Sequence, residues 1–138
     1  KDGLIRIFSN DNMKTGYARS SKLMWALGNY SRFVRPGAVR YDISALDKDG
    51  KRIREGETDP KGLMCSAYKN MDGKWVIVAI NYAQSKRKFI FTLSNHPKAR
   101  WSLYRTSDIE GENLAPIANS DNNEVVLTPK SITTFVEK

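Results

Sequence analysis

Foremost among the residues of this 138-residue sequence that could make or break bonds are six glutamates, one cysteine and one histidine. Glu55 and Glu57, like Glu110 and Glu112, stand two apart, raw material for acid and base work if a rigid element aimed them at one bond. Both pairs lie in acidic, turn-rich sequence, where solvated carboxylates are expected; Glu124 and Glu137 fall at the ends of strand-like stretches. Cys65 as a nucleophile would need His96 as its base, yet His96 sits in the turn-like Asn95-His96-Pro97. Within Leu63-Met64-Cys65-Ser66-Ala67-Tyr68 the cysteine reads as a small buried hydrophobe. A single cysteine permits no internal disulfide, and with one histidine it forms no cluster of metal-ligand spacing, so neither a metal nor a cofactor is expected.

Binding is the remaining chemistry. Lysine and arginine total 23 against 15 acidic residues, a formal charge of +8, an excess that can mark an anionic polymer as partner. The basic residues are scattered, however, and the densest group, Lys86-Arg87-Lys88, precedes Phe89, Phe91 and Leu93, which share one face of a predicted strand as core residues do. No nucleic-acid partner is expected. Trp25, Trp75 and Trp101 would bind sugar rings if exposed in a row, but their spacing puts Trp25 on a helix flank, Trp75 in the most apolar strand and Trp101 in step with Leu103. All three are read as packing residues.

The elements that must position any site follow from periodicity. Leu23, Leu27, Tyr30 and Val34 recur at helical spacing, with Ala26 and Phe33 widening the same face. Ser20 or Ser21 can cap the start, and Pro36 forces a stop near Val34. Residues 1–19 read as a short extended piece, around Leu4-Ile5-Arg6-Ile7-Phe8, and a loop from Ser9 to Arg19. After Gly37 the alternation of residues 38–46 predicts a half-buried strand. Residues 63–69 and 74–82 flank Asp72-Gly73 and predict an antiparallel hairpin, with Val76 and Val78 facing away from Trp75 and Ile77. The run 76–80, apolar on both faces, predicts a central strand and is too short to span a bilayer. Residues 88–93, 99–105, 124–127 and 131–136 are further strands, and 106–123 reads as a long loop. A chain that opens on Lys1 without a signal-like segment reads as a processed or excised piece. Asn29-Tyr30-Ser31 fits the glycosylation acceptor pattern, but inside a helix.

One stretch is distinctive. Ala26-Leu27-Gly28-Asn29-Tyr30-Ser31-Arg32-Phe33-Val34-Arg35-Pro36-Gly37 resembles the end of the last barrel helix of glycoside hydrolase family 30, where an ALG-aromatic-S-[KR]-F-[IV]-RPG run hands the chain from the catalytic barrel to a β-sandwich. Ser66-Ala67-Tyr68-Lys69 with Lys74-Trp75-Val76-Ile77-Val78-Ala79-Ile80-Asn81 is similar to that family's central hairpin, and Ser131-Ile132-Thr133-Thr134-Phe135-Val136 to its closing strand.

The resemblance implies a mainly β fold, an antiparallel β-sandwich of about seven to eight strands preceded by one α-helix left over from a (β/α)₈ barrel. Residues 1–36 would be the last barrel loop and helix, and 37–138 the sandwich. A retaining mechanism uses two carboxyl groups roughly 5 Å apart, and the family's two glutamates lie on barrel strands upstream, so no catalytic residue is expected here. The expected role is a non-catalytic buttress of a glycoside hydrolase acting on polysaccharide or glycolipid, secreted or periplasmic; the alternative is an autonomous carbohydrate-binding module. If residues 9–19 form the last barrel loop, Tyr17 could stack on a sugar, and Arg19 and Asn10 could bond hydroxyls or a uronate carboxylate. The expected partners are the barrel and carbohydrate. Without the barrel, the bare helix face is expected either to pair in a homodimer or to refold onto the sandwich at an altered angle.

Overall fold

Twelve strands and one helix form among the residues that the computed structural model describes, 3–10, 12–46, 49, 52–53, 62–93, 99–118 and 124–138. They are β1 (Ile5–Ser9), β2 (Gly16–Ser20), α1 (Lys22–Ser31), β3 (Val39–Tyr41), β4 (Ala45–Leu46), β5 (Arg52–Ile53), β6 (Leu63–Lys69), β7 (Trp75–Asn81), β8 (Arg87–Ile90), β9 (Trp101–Thr106), β10 (Ala115–Ile117), β11 (Glu124–Leu127) and β12 (Ser131–Glu137). Glu55, Glu57 and His96 lie outside the described residues.

Six strands form one antiparallel sheet in the order β10-β9-β12-β7-β6-β3. Apolar alternation gives it an inner face, where Ile77, Ala79, Trp101, Leu103 and Phe135 pack against Phe89, Val125 and Leu127 of the β8–β11 pair. Phe91 closes this β-sandwich core edge-on against Trp101 and Phe135, with ring centroids 5.1 and 5.0 Å away. Burying side chains of this size contributes about 1.5–3 kcal/mol each. The strand β7 lies inside the sheet, as its two apolar faces require, and is joined to β6 through the turn at Asp72-Gly73, where Gly73 takes φ of 83°. Val76 and Val78 leave the Trp75–Ile77 face and are themselves buried. They look toward α1, which lies across β9 and β12 on the outer face.

The helix starts where expected: the Ser21 hydroxyl accepts from the Met24 amide at 3.3 Å. It ends at Ser31, three residues short of Val34, because the last turn tightens, Phe33 N–H donating to the Tyr30 carbonyl, ahead of a proline that disfavours helix in the residue before it. Residues 35–38 then form a type II turn, with Ala38 N–H on the Arg35 carbonyl at 2.9 Å, Pro36 in its second position and Gly37 at φ 85°. The β6–β7 turn holds this junction. Asn70 donates from its amide to the Phe33 carbonyl at 2.9 Å and accepts from Arg35 N–H at 3.1 Å.

Three expectations are corrected. The segment 9–19 is not a loop throughout, since Gly16–Ser20 pairs with Ile5–Ser9 as a hairpin; the one large apolar residue of β2, Tyr17, gave too little alternation to reveal a strand. The single half-buried strand over 38–46 is instead two short pieces, β3 and β4, and Val39 and Tyr41 are exposed because β3 is the sheet's edge. The loop over 106–123 contains the edge strand β10, hidden by Pro116, which an edge tolerates.

Candidate functional site

The hairpin β1–β2 is exposed along both strands. Its register places Arg6 opposite Arg19 and Phe8 opposite Tyr17, so the two arginines and the two aromatic rings share one face. The rings stack, with centroids 4.8 Å apart and planes 14° from parallel. Two arginines directly opposite one another repel, and an anion between them would remove that cost. The structure therefore brings Tyr17 and Arg19 together and adds Phe8 and Arg6, which sequence reading left out because β2 was not recognised. Asn10 sits at the hairpin's loop, where its side-chain oxygen accepts from Lys14 N–H at 3.0 Å. That oxygen holds the turn.

Next to the hairpin, α1 presents two different faces. Toward the sheet stands Asn29, with 0% of its surface exposed. Its amide donates to the Trp25 carbonyl at 3.0 Å and to the Thr106 hydroxyl at 2.8 Å, and the Thr134 hydroxyl donates to its side-chain and main-chain oxygens at 3.0 and 2.9 Å. Buried polar groups need such partners, and the same burial removes Asn29 from any surface role as a glycan acceptor. On the other face Leu23 and Leu27 remain 47% and 48% exposed. Leu4, Met24, Leu27, Tyr30, Val34 and Tyr68 line an open groove of about 530 Å³ there. Trp25 donates its indole N–H to Ser20, Trp75 packs beside the core and Trp101 is fully within it.

Three of the described glutamates have partners within the fold, and Glu112 is not the solvated carboxylate that its sequence suggests. Glu112 accepts from the Ser107 hydroxyl and lies 3.9 Å from the Arg105 guanidinium, Glu124 pairs with Lys88 at 2.8 Å, and Glu137 accepts from Trp75 N–H at 3.0 Å. Burial pulls the Arg105 guanidinium down and Glu112 pulls it back up. No group of three or more His, Cys, Asp or Glu side chains gathers among the described residues.

Cys65 packs against the core, and burial pushes its thiol up to about 12 from 9.0. Folding therefore favours the neutral thiol, a stabilisation complete below pH 9.0 and lost as pH rises toward about 12. Between about pH 8 and 11 the wild-type chain is expected to lose more stability in urea unfolding than Cys65→Ala does. Parallel pH profiles would contradict this account, as would rapid reaction of the native thiol with Ellman's reagent at neutral pH.

Residues 37–135 match the model of the glycosyl hydrolase family 30 beta sandwich domain. Glucuronoxylanase XynC of Bacillus subtilis is 34% identical over 122 residues, a stretch covering 86% of this chain and 25% of that enzyme. The chain thus spans about a quarter of that relative's length. Among solved structures, a GH30 endoxylanase from Clostridium papyrosolvens C71 superposes with a TM-score of 0.66 at 29% identity, over 86% of this chain and 28% of its own. A conserved exported protein from Bacteroides fragilis gives a TM-score of 0.71 at 22% identity, over 96% of this chain and 26% of its own, a likeness of fold alone. The ALG-to-RPG run, the central hairpin and the closing strand were sound guides, and the chain belongs to glycoside hydrolase family 30, whose β-sandwich domain it carries.

Proposed function

We propose that this chain is the non-catalytic C-terminal part of a secreted or periplasmic retaining glycoside hydrolase. In this reading residues 1–36 are the last loop and helix of its (β/α)₈ barrel, and residues 37–138 are a sandwich that buttresses the barrel. The observation that carries it is the two-sidedness of α1. One side is fastened to the sheet through fully buried Asn29, while Leu23, Leu27 and the groove beside them stay open. Apolar surface left in water forfeits roughly 25 cal/mol per Å², and a barrel on that face recovers it. Export fits a polymeric substrate too large to enter a cell. No helix among the described residues is long and apolar enough to cross a membrane.

Produced without a barrel, the chain covers the same face with a second copy. Sedimentation equilibrium is expected to show a concentration-dependent dimer, and Leu27→Lys a monomer. A wild-type chain that stays monomeric at every concentration would count against an interface on this face.

The hairpin is the part of this chain that meets carbohydrate in the parent enzyme. Tyr17 and Phe8 offer rings for stacking, and Arg19, Arg6 and Asn10 offer donors to hydroxyls or to a uronate carboxylate. The named relative, a glucuronoxylanase, makes an acidic xylan the first polymer to try. In the enzyme carrying this chain, Tyr17→Ala is expected to raise KM about 2–10-fold, the loss of one stacking contact. Arg19→Ala is expected to weaken acidic xylan selectively over neutral xylan. Unchanged KM in both variants would reduce the hairpin to an ordinary loop. The chain alone turns over neither substrate, and its retardation in a xylan-containing gel would instead favour the autonomous binding module.

A further inference from the structure

One loop of the sandwich meets the first turn of the helix from which the hairpin hangs. Residues 107–114 fold back on themselves, with Ser107 N–H on the Glu112 carbonyl at 3.1 Å and Leu114 N–H on the Thr106 hydroxyl at 3.0 Å. On its inner side the loop is moored by Glu112, whose carboxylate accepts from Ser107 and lies beside Arg105. Arg105 is buried in the sandwich and donates to the Val126 carbonyl at 2.8 Å and the Thr133 hydroxyl at 3.3 Å. On its outer side the carbonyls of Ile109 and Glu112 both accept from the Lys22 ammonium, at 3.1 and 3.3 Å. Lys22 opens α1. The neighbouring Ser21 donates from its N–H and its hydroxyl to the Leu4 carbonyl at 2.9 and 3.0 Å, and Trp25 donates to the Ser20 hydroxyl at 2.9 Å. These bonds tie the hairpin to the helix.

We propose that the 107–114 loop is a bracket that positions the β1–β2 hairpin, with Lys22 as the positioning residue and the Arg105–Glu112 pair as its mooring. An ammonium bonded to two main-chain oxygens is held by acceptors whose place the sandwich core dictates, so the first helical turn, and the hairpin hung from it, take their position from the sandwich. A side chain free to swing would set no such position. The role of this positioning in catalysis rests on the hairpin facing glycan; the mechanical link does not.

Amide hydrogen exchange on the chain, without any glycan, tests the link by itself. In Lys22→Met the β1–β2 amides are expected to exchange roughly five- to tenfold faster, while those of β7 and β12 keep their rates. Lys22→Arg, which still donates to both carbonyls, restores the hairpin rates. Glu112→Gln, which loosens the mooring and leaves Lys22 in place, speeds the hairpin amides in the same local pattern. Hairpin rates unchanged in both Lys22→Met and Glu112→Gln overturn the proposal, and so does an equal acceleration across hairpin and sandwich. A parent enzyme whose KM ignores Tyr17 and Arg19 would remove the glycan reading but leave these exchange rates as predicted.

Discussion

Replacing Gly37 by alanine is expected to cost the chain about 1–2 kcal/mol of stability, mostly a backbone penalty, because the Met71 side chain beside it is exposed and can swing aside. Gly37 holds φ at 85°, a conformation that side chains resist, and a Cβ built on it would meet the Met71 sulfur at 2.5 Å. The two causes separate by design. Met71→Ala in the Gly37→Ala background removes the contact and leaves the backbone penalty, so the double variant should recover little of the loss. Urea unfolding monitored by tryptophan fluorescence reads both, through a lower midpoint at unchanged slope. A loss below about 0.5 kcal/mol, within the range of an ordinary surface change, would mean that the turn bends easily and does not set the helix against the sandwich.

Asn29→Ala is expected to cost about 2–4 kcal/mol, because it opens a gap beneath the helix and removes the partners of groups that have no water to turn to. Thr134→Val removes the opposite end of the same cluster. Since Thr134 donates to both oxygens of Asn29, the double variant should lose about 1 kcal/mol less than the two single losses together. Strict additivity would show that the two side chains stabilise the helix independently. Far-ultraviolet circular dichroism should meanwhile keep the strand signal, because the sandwich core on the inner face of the sheet does not touch either residue.

Much of this fold was legible because particular residues admit few structures. Asp72-Gly73 between two apolar runs announced the β6–β7 hairpin, Arg35-Pro36-Gly37 announced the turn, and Trp101 in step with Leu103 announced an inward face. The family run at 26–37 was legible for a different reason, as a family resemblance whose physical cause appears only in three dimensions: Asn70, distant in sequence, holds its last residues. What stayed hidden was polar or short. Asn29 looked like an ordinary helix residue, and nothing local says that Thr106 and Thr134 will surround it. A sheet face carrying Ser66, Tyr104, Thr106 and Thr134 beside Val76 and Val78 was the available sign that the helix would dock partly through hydrogen bonds. The bracket was harder still, since Lys22 meets carbonyl oxygens, which every residue possesses. Of the candidate site, Tyr17 and Arg19 could be named from the sequence, but Phe8 and Arg6 needed the register.

The bonds from Thr134 to Asn29 join residues 105 positions apart. A ribosome releases the helix long before it makes β12, and a contact of such separation waits on closure of nearly the whole chain. During synthesis the helix therefore spends its time without half of its seat, and it cannot latch onto the sandwich until β12 leaves the exit tunnel. A truncation of β12 would be felt at the opposite end of the chain, in a helix that is complete and correctly coded but has nowhere to close.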